Sequence, residues 1–237
     1  MEKGGKIVMS FPSRIWCGAG MTVTNSQICS VSNICRMLVV PQDSIDIANI
    51  VNALKQGKTL VYPTETVYGL GCDATNQMAV DRVFQIKQRQ REKAVLVLMA
   101  DIVMARRYAE WSPLLERMAG RYWPGPLTVV ARVKSGTDLA KGTIEKDGTI
   151  AFRVTSHPIA HEITAALGTP LVSTSANIAT MKSPYDIKEV THMFETEPLQ
   201  PDMIIDAGAL LDDSPSTIVS VVGREPTVLR QGDIVIE

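Results

Sequence analysis

Segments with the apolar period of helices alternate with short apolar runs typical of buried strands from Val39 to the C-terminus. The first helical stripe extends from Ile45 to Leu54, with Asp43 expected as its N-cap and Gly57 as its stop signal. Further helices are predicted at residues 77–86, 102–109, 113–122, 158–167 and 185–194, and strands at 59–62, 94–99, 127–133, 149–154, 170–173, 203–206, 217–222 and 227–229. The sequence shows no internal repeat. This pattern predicts a single α/β domain in which helices flank a twisted mixed sheet.

The first 38 residues differ from the rest, because neither the helical nor the strand period of apolar residues is visible in them. Glycine and proline punctuate the segment, so we expect a poorly ordered extension at 1–38 and the folded domain at 39–237. Three origins fit it: an over-extended reading frame with its true start at Met21 or Met37, a disordered extension, or a weak organelle-targeting segment.

The composition excludes several classes of protein. Of the 237 residues, 45% are hydrophobic and 21% are charged, as in ordinary globular domains. The 24 Lys and Arg residues balance 25 Asp and Glu residues, so a net charge of −1 gives no global field for a long nucleic-acid duplex. No apolar run approaches the ~20 residues that a membrane span needs, so no membrane association is expected. The cysteine spacing does not indicate a metal site and favours a reducing cytoplasm.

Lys87, Arg89, Arg91 and Lys93 occupy every second position directly after a predicted helix. In an extended chain, alternate side chains point to the same side. An extended stretch would therefore form an anion site, in which Arg binds phosphate or carboxylate oxygens in a bidentate manner and Lys supplies a point charge. The alternative interpretation is a solvated cationic strand edge, which protects sheets from aggregation.

Two polar segments follow predicted strands, where open α/β sheets place their ligands. Residues 62–71 carry hydroxyls, a carboxylate and two glycines, and residues 173–177 carry three hydroxyls and an amide. Either segment is also compatible with an ordinary turn or helix cap. Arg153 and Arg230 belong to apolar strands, so each needs an anionic partner or a path to water.

In this order, these segments resemble the YrdC/Sua5 family, the threonylcarbamoyl-AMP synthases. The matching blocks span about residues 40–236: PTETVYGL at 63–70, Lys87-x-Arg89, PGPLT at 124–128, Arg153 in a strand, STSAN at 173–177, Ser-Thr at 216–217 and Arg230-x-Gly232. The resemblance implies a YrdC-like domain with a positively charged concave cleft, of the short type without a C-terminal Sua5 domain. It implies an enzyme that converts L-threonine, bicarbonate and ATP into threonylcarbamoyl-AMP and pyrophosphate for tRNA t6A37 modification.

The resemblance also implies residue roles. The catalytic residues would be Lys87 and Arg89. The ATP-binding residues would be Lys87, Arg89, Lys93, Thr149, Ser175, Asn177, Ser183 and Arg230, and the threonine-binding residues would be Thr66, Leu98, Arg153, Ser173 and Ser216. Mg²⁺ would be held mainly by the ATP phosphates. A downstream t6A transferase complex and a weak tRNA contact are the further expected partners, in the cytoplasm.

The chain departs from the family pattern at several loop positions. Thr155 stands where the family has the proline of Arg-x-Pro, and Gln90 replaces the proline that follows Lys-x-Arg. Lys93 and Ala94 replace an Asn and a Pro, and residues 179–180 read Ala-Thr instead of Ser-Gly. These departures leave open a structural or regulatory protein of the same fold that has lost catalysis. The alternating cationic strip leaves open a second alternative, a nucleic-acid-binding module.

Overall fold

The computed structural model describes residues 37–211 and 215–236, so the expectations about the first 36 residues lie outside the described residues. Eleven strands and six α-helices alternate along the described part of the chain. The strands are β1 Leu38–Pro41, β2 Leu60–Tyr62, β3 Gly69–Gly71, β4 Val97–Met99, β5 Leu127–Arg132, β6 Thr149–Val154, β7 Leu171–Val172, β8 Thr174–Ser175, β9 Met203–Asp206, β10 Thr217–Ser220 and β11 Thr227–Arg230. The α/β class and the mixed strand pairing are confirmed.

These strands form two sheets rather than the single sheet that the sequence predicted. One has the order β1-β9-β2-β3-β8 and the other the order β11-β10-β5-β6-β4-β7. Each sheet combines parallel and antiparallel pairs, for example β2 parallel to β9 but antiparallel to β3. The second strand of the first sheet, β9, lies between β1 and β2, so a strand late in the sequence joins two early ones.

The helices are α1 Ile47–Lys55, α2 Gln77–Ile86, α3 Ile102–Tyr108, α4 Pro113–Tyr122, α5 Pro158–Leu167 and α6 Ile187–Phe194. The prediction of Asp43 as the first N-cap was wrong: Asp43 lies in a short 3-10 turn, and the Asp46 carboxylate accepts the N–H groups of Ala48 and Asn49. Helix α6 likewise begins later than expected, after its N-cap Asp186. Strands β1, β3 and β8 were missed by the sequence analysis.

The chain crosses between the two sheets within five residues. Strand β7 belongs to the second sheet and β8 to the first, so Ser173 is the single residue between them. The crossing packs tightly on β3, because a Cβ atom on Gly71 would lie 2.0 Å from the carbonyl oxygen of Val172. Glycine is therefore required at position 71 by backbone contact.

Two apolar clusters bury the faces of the sheets. In the smaller cluster, helices α1 and α5 cover strand residues of both sheets, including Tyr62 of β2 and Leu98 of β4. The larger cluster buries residues of α2, α3, α4 and α6. No helix in the described ranges is long and apolar enough to cross a membrane.

Candidate active site

The cationic stretch at residues 87–93 is not extended, so the expectation that its four side chains lie on one side was wrong. Lys87 ends α2 in a helical conformation, Gln88 has a φ of +50°, and turns follow. Arg91 pairs at the surface with Asp81, at 2.8 Å, and Lys93 is exposed. The helix end directs only Lys87 into the interior.

The Lys87 ammonium lies in a cage of neutral oxygens. Its Nζ donates to the carbonyl oxygen of Ser175 at 2.5 Å, to the carbonyl oxygen of Asn177 at 2.8 Å and to Asn177 Oδ1 at 3.1 Å. The residue is only 3% exposed. Burial, followed by the positive charge of Arg89, lowers the pKa of Lys87 to about 7. This ammonium thus fixes the 175–177 segment and titrates near neutrality.

Side chains of the 175–177 segment are themselves tied together. Ser175 Oγ donates to Asn177 Oδ1, and Asn177 Nδ2 donates to the carbonyl oxygen of Met181. Ser183 follows in the same loop and is half-buried. The structure therefore brings Lys87, Ser175 and Asn177 into direct contact, with Ser183 further along the same loop.

Arg89 lies beside this cluster and is half-buried. Its guanidinium donates to the carbonyl oxygens of Lys93 and Ala94, at 3.2 and 3.4 Å. Desolvation lowers the pKa of Arg89, and the Glu145 charge opposes that shift. The hydrogen bonds of this guanidinium are therefore long contacts to neutral carbonyls, and the charge of Glu145 partly balances its own.

Arg153 marks a second polar group, on strand β6. Its side chain is 5% exposed, and its Nε lies 3.2 Å from Glu65 Oε1. The angle is not that of a hydrogen bond, so the contact is an ion pair. Its remaining partner among the described residues is Thr66 Oγ1, at 3.5 Å. Sequence reasoning noted the carboxylate of Glu65 but did not pair it with Arg153, although a buried Arg on an apolar strand signals a carboxylate partner.

Ser173 lies close to this group, at the crossing between the sheets. A Cβ atom on Gly69 would lie 3.2 Å from Thr64 Cγ2 and 3.4 Å from Ser173 Oγ. Thr64 and Thr66 share a hydrogen bond between their hydroxyls, at 3.1 Å. The 64–66 loop and Ser173 therefore line one small region, and pairing of Gly69 with Ser175 joins it to the Lys87 cluster.

Arg230 and Ser216 complete the second group. The Arg230 guanidinium donates to the Ser216 carbonyl oxygen at 2.8 Å and to its hydroxyl at 3.0 Å, and that hydroxyl contacts Thr128 Oγ1 at 2.9 Å. Partial burial, followed by the positive charge of Arg153, lowers the pKa of Arg230. The two guanidinium groups are thus close enough to repel each other, a condition that a bound anion relieves.

Leu98 and Thr149 lie at the periphery of these contacts. Leu98 pairs with Arg153 in the sheet and is fully buried in the smaller apolar cluster. Thr149 begins β6, four residues before Arg153, and its hydroxyl donates to Asp147 at 2.7 Å. Its hydroxyl is therefore already engaged within the turn that precedes β6.

A cavity of about 560 Å³ lies beyond β4 and β6, lined by Trp123, Val154, Thr155 and His161 among others, and none of the predicted site residues lines it. Within residues 37–211 and 215–236, no group of three or more His, Cys, Asp or Glu residues could hold a metal ion.

Fold and site together define an α/β protein of two adjoining sheets with two buried cations, Lys87 and Arg153, near the crossing between them. A family model described as Sua5/YciO/YrdC, telomere recombination, matches residues 52–232. The chain belongs to this family.

Relatives of known sequence or structure extend this assignment. A threonylcarbamoyl-AMP synthase of Psychromonas ingrahamii is 33% identical over 175 residues, which cover 72% of this chain and 88% of that protein. The structure of P. abyssi Sua5 complexed with L-threonine matches with a TM-score of 0.71 and 30% identity, over 83% of this chain and 57% of the Sua5 chain. E. coli YciO matches with a TM-score of 0.71 and 27% identity, over 84% of this chain and 96% of YciO.

Proposed function

We propose that this protein is an L-threonylcarbamoyladenylate synthase, a nucleotidyltransferase that forms threonylcarbamoyl-AMP and pyrophosphate from L-threonine, bicarbonate and ATP. The observation that carries the proposal is the contact of Lys87 with Ser175 and Asn177, because it joins two separate sequence blocks of the family in one buried site. The curated relatives are named threonylcarbamoyl-AMP synthases, and these names support threonylcarbamoyl-AMP as the product. The product serves tRNA t6A37 modification.

The chemistry requires the protein to bring anions together. The threonine amine attacks the carbon of bicarbonate, and loss of water gives an N-carboxy-threonine. Its new carboxylate attacks the α-phosphorus of ATP and displaces pyrophosphate. No protein nucleophile is needed, so catalysis comes from positioning and charge compensation. Cations on both sides of the sheet crossing match this requirement, and we propose that they line one positively charged cleft.

On the nucleotide side, Lys87 and Arg89 compensate the charge of the triphosphate, with Lys93 and Arg230 as further cations. All three donors of Lys87 contact the 175–177 segment, so its ammonium also holds Ser175 and Asn177 in place for the nucleotide. Ser183 lines the same side. Thr149 contributes from the start of β6 only if a ligand displaces its hydrogen bond to Asp147.

On the amino-acid side, Arg153 binds the threonine carboxylate. Thr66 and Ser173 contact the amine and hydroxyl, and Leu98 and Ser216 complete the lining. The P. abyssi Sua5 complex with L-threonine supports an amino-acid site in this fold. Mg²⁺ would be held mainly by the ATP phosphates. A cytoplasmic t6A transferase complex and a weak tRNA contact are the partners we propose downstream.

The decisive experiment measures pyrophosphate release from the purified chain with ATP, bicarbonate and each of the amino acids in turn. We expect pyrophosphate release only with threonine. Absence of any dependence of pyrophosphate release on threonine rules the proposal out. RNA binding with a steep salt dependence and no ATP consumption would instead favour a nucleic-acid-binding module. ATP binding without turnover would favour a protein that has lost catalysis.

A further inference from the structure

Arg153 and Glu65 form a buried ion pair whose geometry leaves the terminal nitrogens of the guanidinium without a carboxylate partner among the described residues. Glu65 Oε1 faces the Nε edge of Arg153 at 3.2 Å, and both atoms are shielded from solvent. Among the described residues, the terminal nitrogens have only Thr66 Oγ1 as a partner, at 3.5 Å. A buried guanidinium needs a counter-charge, and here Glu65 supplies it from the side.

Thr155 fixes the orientation of Glu65. Its hydroxyl donates to Glu65 Oε2 at 2.8 Å and accepts the backbone N–H of His157 at 3.2 Å. Thr155 is 1% exposed, so this hydrogen bond is protected from water. The His157 amide thereby determines which way the Thr155 hydroxyl proton points. A chain of contacts thus leads from the start of α5 through Thr155 and Glu65 to Arg153.

Position 155 is a threonine in this chain, whereas the YrdC/Sua5 pattern has a proline there. A proline side chain has no hydroxyl and cannot donate to Glu65. The departure at position 155 therefore adds a contact, and that contact reaches Arg153 through one carboxylate.

We propose that Glu65 and Thr155 are positioning residues for the amino-acid substrate: together they hold the Nε edge of Arg153, so that its terminal nitrogens receive the substrate α-carboxylate. This inference rests on the proposed function, because it takes Arg153 as the carboxylate partner. A planar guanidinium offers two parallel N–H groups to a carboxylate only when its rotation is fixed. Neither positioning residue needs to touch the substrate.

The test uses the full-length protein with Thr155→Val, which removes the hydroxyl and leaves both charges of the ion pair in place. We expect the KM for threonine to rise roughly tenfold, the scale of one hydrogen bond to a charged group, with kcat and the KM for ATP within about twofold of wild type. Thr155→Ser restores the hydroxyl and should restore the KM. Glu65→Gln should raise the KM for threonine further, and Glu162→Gln, on the exposed face of α5, is the matched control.

L-threoninol, which has a hydroxymethyl group in place of the carboxylate, separates positioning from general damage. Its affinity, measured by competition, should be the same for wild type and Thr155→Val, since the substitution acts only through the carboxylate. Equal weakening of threoninol and threonine, or an unchanged threonine KM, overturns the inference. Glu65→Gln removes one charge of a buried ion pair and is therefore the more destabilising substitution. If the Glu65→Gln protein does not fold, the Thr155→Val result alone tests the inference. If the wild-type protein shows no dependence on threonine, the proposed function is refuted together with this inference. If the wild type depends on threonine but the variants behave like it, only this inference is refuted.

Discussion

Lys87 Nζ lies 2.8 Å from the main-chain carbonyl oxygen of Asn177, a residue 90 positions further along the chain. Helix α2 ends at this lysine and strand β8 ends just before this asparagine, so one ammonium joins a helix end to the loop after a strand. The same ammonium also donates to Asn177 Oδ1 and to the carbonyl oxygen of Ser175. The proposed nucleotide side is therefore organised before any ligand binds.

ATP binding should be coupled to proton uptake at Lys87. Because burial lowers the pKa of Lys87 to about 7, the unliganded protein at pH 8 holds this amine mainly in its neutral form. The charge of a triphosphate favours the ammonium, so binding should take up about one proton at pH 8 and almost none at pH 6. Calorimetry in buffers of different ionisation enthalpy measures this number, and Lys87→Met should abolish it. Equal uptake in the variant would contradict the assignment.

Arg89→Ala should reduce pyrophosphate release by at least about a hundredfold, because the charge it removes is only weakly engaged within the protein and is thus available to phosphate. Arg91→Ala is the matched control, since Arg91 lies in the same segment but pairs with Asp81 at the surface. Its activity should stay within about twofold of wild type. Equal losses in the two variants would indicate a general effect of charge.

Arg153→Ala should raise the threonine requirement about a hundredfold while the KM for ATP changes little, since a bidentate charged contact is lost on the amino-acid side alone. Steady-state kinetics with each substrate varied separately checks this. The expected split between the two substrates distinguishes a specific role from misfolding. An unchanged KM for threonine would contradict the role of Arg153.

Gly71→Ala should destabilise the fold by about 3 kcal/mol, because the new methyl group would collide with the carbonyl oxygen of Val172. Gly120→Ala is the control: it lies inside α4 with nothing within 4 Å of an added Cβ, and should stabilise the protein by about 1 kcal/mol. Chemical denaturation of both variants gives the two free energies of unfolding. Similar effects of both substitutions would refute the steric argument.

Asp202→Asn should lower the free energy of unfolding by about 2 kcal/mol. The Asp202 carboxylate accepts the N–H and hydroxyl of Thr59 and forms ion pairs with Arg82 and Lys58. Burial alone would raise the pKa of Asp202, but these contacts lower it below 3.8. Its contribution is therefore complete above about pH 4 and is lost as the pH falls through the lowered pKa. The difference between wild type and variant should shrink in acid, and Asp43→Asn, at an exposed position, should show neither effect.

Local patterns in the sequence predicted most elements, because their caps and apolar periods lie within a few residues. Helix α5 and strand β6 have the predicted bounds, and Gly168 ends α5 with a φ of +78°. Strands β3 and β8 were missed, since their sequences, Gly-Leu-Gly and Thr-Ser, carry no apolar run, and they form through long-range pairing. The division into two sheets depends on the same distant pairings.

The site shows the same division between local and distant information. The sequence identified Lys87 and Arg153 as chemistry-bearing residues but misjudged the conformation around Lys87, because Gln88 adopts a positive φ without being glycine or asparagine. The partners of both cations come from elsewhere in the chain: Asn177 for Lys87, and Glu65 for Arg153. Only folding places them in contact.

Within the five residues from Leu171 to Ser175, the first two belong to the second sheet and the last two to the first sheet, with Ser173 alone between the two strands. An insertion or deletion in this pentapeptide would shift the strand register on both sides at once, and with it the hydroxyls of Ser173 and Ser175. The loop at residues 134–148 connects neighbouring strands of one sheet and carries no such double constraint. Natural length variation among homologous chains should therefore concentrate in loops of that kind and spare this pentapeptide.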